Sequence, residues 1–98
     1  MWVKIHRSSR TVIAICDENL LGKKFNEGIK CLNITESFYK GEKISKEEVS
    51  EIMKFESLGG STFNMVGKET INLAIEVGII EENSYFKIEN IPFIITIN

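Results

Sequence analysis

Proline and histidine each occur once in these 98 residues, cysteine occurs twice, and the longest uninterrupted apolar runs are Val12 to Cys16 and Ile91 to Ile95. Each scarcity excludes something. Runs that short fall far below the roughly 20 apolar residues that span a bilayer, so no membrane segment is expected. No charged start leads into an apolar stretch with a small-residue cleavage site, so the expected location is cytoplasmic. Cys16 and Cys31 lack the spacing of a metal site, which predicts reduced thiols, no metal and no cofactor. A single histidine, His6, leaves little from which to build general acid–base chemistry. Cys16 is followed by Asp17 and Glu18, and neighbouring negative charge suppresses a thiolate; it reads as a buried small apolar residue, not a nucleophile. No catalytic residue is assigned, and the chain reads as a non-enzyme.

What is present is the composition of an ordinary globule, 43% hydrophobic and 27% charged, and residues 1–98 fit one domain. The net charge of -2 is uneven. Residues 1–30 carry Lys4, Arg7, Arg10, Lys23, Lys24 and Lys30 against Asp17, Glu18 and Glu27, while every remaining acidic residue and six lysines follow. That asymmetry hints at a basic face for an anionic partner, although a pI near 5.4 is far from that of a dedicated nucleic-acid binder.

The pattern predicts an α+β fold: a mixed or antiparallel sheet of about five short strands with two main helices packed on it. Val3 to His6 and Thr11 to Cys16 read as a hairpin around Arg7-Ser8-Ser9-Arg10, and the unbroken apolar run of its second arm predicts a strand covered on both faces. Asp17 to Gly22 reads as one capped helical turn, 23–28 as loop, Ile29 to Ile34 as a strand, and Thr35 to Lys43 as a surface loop. Ser45 and Glu48 have capping-box spacing, predicting a helix to about Phe55. After a Gly59-Gly60 turn, the stretch Asn64 to Gly78 reads as the central helix, with Asn64 as N-cap, Gly78 past its end and an apolar arc of about 200°. Tyr85 to Ile88 and Phe93 to Ile97 complete the strands, Pro92 marking a strand start or edge.

Several candidate contacts emerge. Arg7 and Arg10 present forked donors suited to phosphate, with a solvated hairpin tip as the plainer alternative. Lys23 and Lys24 add charge. Phe38 and Tyr39 beside Lys40 offer a platform for stacked bases, or else anchor their loop to the core. The segment before Gly67-Lys68 fails as a phosphate loop, because Thr62 stands where a glycine is required and Glu69 where a hydroxyl would hold magnesium. What survives is a helix start at Asn64, Gly67 and Lys68 able to hold one phosphate or carboxylate, unless Gly67 serves a close backbone approach.

Cys16-Asp17-Glu18-Asn19-Leu20-Leu21-Gly22-Lys23, Glu36-Ser37-Phe38-Tyr39 with Gly41-Glu42, and Asn64-Met65-Val66-Gly67-Lys68 followed by Leu73-Ala74-Ile75-Glu76 and Gly78 together resemble an archaeal family catalogued as domain of unknown function 424. The resemblance covers most of the chain and implies a compact cytosolic α+β protein of an archaeon. It carries over no catalytic residue. The expected function is a binding module contacting RNA or a ribonucleoprotein of translation, as a monomer or weak dimer. The alternatives are a subunit that pairs with a protein through a strand edge, and a small enzyme or sensor holding an anion at Gly67.

Overall fold

The structure, a computed structural model, describes residues 1–96. Strands β1 (Trp2–His6) and β2 (Val12–Cys16) form the expected hairpin, and β2 lies inside the sheet. Its neighbour on the other side is β6 (Thr62–Val66), which runs parallel to it with Ile13 opposite Phe63 and Ile15 opposite Met65. With β5 (Glu42–Lys43), β7 (Phe86–Ile88) and β8 (Ile91–Ile95), the six-stranded order is β5-β1-β2-β6-β8-β7. A separate hairpin pairs β3 (Lys24–Glu27) with β4 (Lys30–Asn33). Helices α1 (Glu36–Tyr39), α2 (Lys46–Leu58) and α3 (Lys68–Val77) complete the α+β domain, with one 3-10 turn at Glu18–Leu20.

The sheet is covered on both faces, as the unbroken apolar run of β2 requires. Ile13 and Ile15 face α2 and α3, meeting Val49, Met53, Ile71, Leu73 and Ala74. Ala14 and Cys16 face the opposite way, into a second cluster built by Leu20, Ile34, Tyr39 and Val66. Ile13 and Ile15 are wholly buried, and such side chains typically contribute about 1.5–3 kcal/mol each on leaving water.

Several expectations are corrected. The stretch from Asn64 is not one helix: Thr62–Val66 is a strand, and the helix starts only at Lys68. A segment that is apolar on both sides fits a helical and an extended period equally, and the parallel register with β2 decides in favour of the strand. Asn64 therefore caps nothing; its Oδ1 is buried without a hydrogen-bond partner among the described residues. Because β6 intervenes, no short turn joins the two main helices. Lys24–Glu27 is a strand and not loop, and Ile29 sits fully exposed in the hairpin turn ahead of β4. Within 35–43 the structure has a helical turn and a short strand, because the Thr35 hydroxyl accepts from the Phe38 N–H at 3.2 Å and Tyr39 is drawn into the core. Helix α2 begins as expected, with Ser45 accepting from the Glu48 N–H at 3.2 Å, and runs on to Leu58. Helix α3 ends in a left-handed Gly78. The expected last strand starts earlier, at Ile91, and its Ile97 lies outside the described residues. Among the described residues no helix is long and apolar enough to cross a membrane.

Candidate anion-binding site

The parallel strands β2 and β6 end side by side, and their carboxyl ends place Asp17 against Gly67 and the start of α3. Asp17 is 5% exposed. One carboxylate oxygen accepts from the Glu69 N–H at 3.1 Å, and the other from the Thr70 N–H at 2.8 Å and the Thr70 hydroxyl at 2.7 Å. The first turn of a helix has unpaired N–H groups and the positive end of the peptide dipoles, and a carboxylate there answers both. Gly67 makes the approach feasible: its φ is 111°, and a Cβ there would overlap the Asp17 carboxyl group. The anion that the sequence suggests for this helix start is thus a side chain of the protein itself, delivered from the end of β2.

Cys16, one residue earlier, is fully buried, and its thiol is pushed up to about 12, by burial first and by the charge of Asp17 second. Tyr39 is pushed up to about 12 by its own burial and then by Cys16. Both stay protonated at neutral pH. Among the described residues no three His, Cys, Asp or Glu side chains are grouped to hold a metal.

Beside the filled helix start lies an open cavity of about 220 Å³. Lys68 and Asn72 reach it from α3, Tyr85 and Lys87 from the β7 arm, and Asn90 from the turn between β7 and β8, with Ile71 and Pro92 as apolar walls. Glu89 and Asn90 both take left-handed backbone angles, as a two-residue hairpin turn requires. That turn is tied to the other hairpin, since the Glu89 carboxylate accepts from the Asn26 N–H at 2.8 Å and the Glu89 N–H donates to Glu27 at 3.0 Å. Asn90 is thereby held at the cavity mouth. Neither Lys68 nor Lys87 has an ion-pair partner among the described residues. Two unpaired ammonium groups, two amides and a phenol around one small cavity suit a phosphate or carboxylate.

The other sequence candidates are scattered. Arg7 is bound to the buried Glu56 at 3.2 Å, and Arg10 lines a different polar cavity with Gly59 and Gly60. Both lie at the start of β2, so a five-residue strand, roughly 16 Å, separates them from Lys68. Lys23 and Lys24 are exposed at the base of the β3–β4 hairpin. Tyr39, at 7% exposure, is no stacking platform. Phe38 has one ring face taken by His6, 4.6 Å away at an 18° angle. His6 Nε2 donates to the Phe38 carbonyl at 2.9 Å and Lys4 to the Ser37 carbonyl at 2.7 Å, so these two bind the C-terminal end of α1. Of the sequence candidates only Gly67 and Lys68 meet at the site; Asn72, Tyr85, Lys87 and Asn90 were missed. The Glu89-Asn90 pair between two apolar runs was the available signal, since Asn tolerates the left-handed turn.

A sheet with a parallel central pair, layered by two long helices on one face and a hairpin with a short helix on the other, defines a small α+β domain whose candidate site lies where the parallel strands end. The chain belongs to the family described as Protein of unknown function (DUF424), whose model matches residues 6–98. The crystal structure of an uncharacterized conserved protein from Methanopyrus kandleri has the same fold, with a TM-score of 0.84 at 22% identity, covering 97% of this chain and 88% of that one. No curated protein matches the chain.

Proposed function

We propose that this protein is a non-enzymatic binding module of the archaeal cytoplasm that contacts RNA or a translation-related ribonucleoprotein through backbone phosphates. The observation that carries this reading is the cavity with two lysines, Lys68 and Lys87, that have no carboxylate partner among the described residues, ringed by amide and phenol hydrogen-bond donors. Phosphate contacts give sequence-independent affinity, which suits a cavity lined by ammonium and amide groups. Lys23 and Lys24 are exposed at the base of the β3–β4 hairpin, which is tied to the β7–β8 turn, and add positive charge on that side. The alternative of a metabolite held at the Gly67 helix start is disfavoured, because the outside anion would have to displace Asp17 from three hydrogen bonds.

Titration of single-stranded RNA at low salt tests the proposal. Lys68→Glu with Lys87→Glu is expected to weaken binding at least tenfold and to flatten the slope of log affinity against log salt by about 1.4, the share of two phosphate contacts. Arg10→Glu is expected to have a smaller effect. An RNA affinity that is absent, or that survives the double substitution, contradicts the proposal.

A further inference from the structure

The main sheet is left unfinished at β1. Residue Met1 exchanges main-chain hydrogen bonds with Ile44, its carbonyl accepting at 3.0 Å and its nitrogen donating at 3.2 Å. Two residues on, the Val3 carbonyl points the same way, toward Gly41, where a Cβ would collide with it. Strand groups alternate with period two, so the N–H and C=O of Ile5 face that same side. There β5 has already ended, its pairing reaching only Trp2 and Val3. Among the described residues no strand pairs with this edge from Ile5 onward, where Ile5 offers one donor and one acceptor.

The open edge is also apolar. A cavity of about 270 Å³ runs along it between Ile5, Ile44 and Ile52. Helix α2 lies alongside β1 in the same direction, tied near its start by Ile44 to Met1 and near its end by Glu56 to Arg7. Counting threes along α2 from Ile52 gives Phe55, 73% exposed, and Leu58, 88% exposed, a stripe on the flank away from the buried Val49 and Met53. Apolar exposure beside an unpaired strand is the combination that natural sheets avoid unless something covers it.

We infer that the cover is a second copy of the chain, joined antiparallel through β1 about a two-fold axis near His6. Three features favour self-association over a foreign partner. Under a two-fold at His6 the outward N–H and C=O of Ile5 in each copy meet the backbone of Arg7 in the other, two residues on and on the same side by the strand period. The same rotation sets the two α2 helices antiparallel, Phe55 against Phe55, and buries both stripes. Opposite charges also match: Arg10 and Glu42 are exposed at the two ends of the open edge and have no ion-pair partner among the described residues. The rotation carries the Arg7–Arg10 turn of each copy toward Glu42 of the other. The result is one continuous twelve-stranded sheet, two copies of six, with the Lys68–Lys87 cavities free at either side.

Sedimentation equilibrium with amide hydrogen exchange tests this. The full chain is expected to give twice the 11.2 kDa monomer mass, with the Ile5 amide protected in a concentration-dependent way. Phe55→Glu with Leu58→Glu is expected to raise the dissociation constant more than about tenfold, because it buries charge against charge across the axis. Ile5→Pro removes the outward N–H alone, a change that an edge strand tolerates, and is expected to give a folded monomer. A monomer mass across the micromolar-to-millimolar range, or a dimer whose Ile5 amide exchanges freely, overturns the inference, whatever else is later found to bind that edge.

Discussion

Asp17 closes β2 and caps a helix whose first bonded N–H lies 52 positions further along the chain. Its three hydrogen bonds are charge-assisted, the two from Thr70 buried and the one from Glu69 partly so, and bonds of that kind contribute about 1.5–3 kcal/mol. Asp17→Ala is expected to lower the unfolding free energy by about 2–3 kcal/mol in urea titrations, and Asp17→Asn by less, because the amide retains one acceptor. A variant as stable as the parent would mean that Asp17 does not cap α3. The next residue back makes the fold sensitive to alkali. Cys16 and Tyr39 have protons that the folded chain keeps up to about pH 12, whereas in the unfolded chain they leave near 9.0 and 10.0. Their contribution is therefore whole below about pH 9 and lost as the pH rises toward 12. Urea midpoints measured across that window are expected to fall, and Cys16→Ala to soften the fall. In the native protein the exposed Cys31 is expected to react with a thiol reagent and Cys16 to stay silent until denaturant is added.

At the scale of elements, what the sequence disclosed was what is encoded locally. The α2 start was legible because Ser45 and Glu48 satisfy each other within four residues, the hydroxyl also donating to Glu48 at 3.4 Å. Ser45→Ala is expected to cost about 1 kcal/mol of stability, measured by denaturant midpoint. Helix α1 was just as local, with Thr35 capping Phe38, yet its single turn lacks the length that makes a periodic pattern visible. The boundary between β6 and α3 was hidden for a different reason. It is set by the pairing of β6 with β2 and by the Asp17 carboxylate at Gly67, both of them long-range, so no window around Asn64 contains the cause. The same holds for the site. Lys68 was found because it follows a glycine at a helix start, whereas Lys87 and Asn90 join it only once β8 has paired with β6.

For the whole molecule, both faces of the sheet are occupied by packing, which confines recognition to its ends and edges. The basic first third does not act as a block: Lys4 and Arg7 are bound internally, and the free cations are divided between the two ends of β2. What remains for an anionic partner is the end where the parallel strands stop. An amide chemical-shift map recorded during titration with a short single-stranded RNA tests that claim most directly. The account predicts that the largest shifts fall on Lys68, Asn72, Lys87 and Asn90 and fade with added salt; shifts centred on the Arg7–Arg10 turn, or none at all, would contradict it.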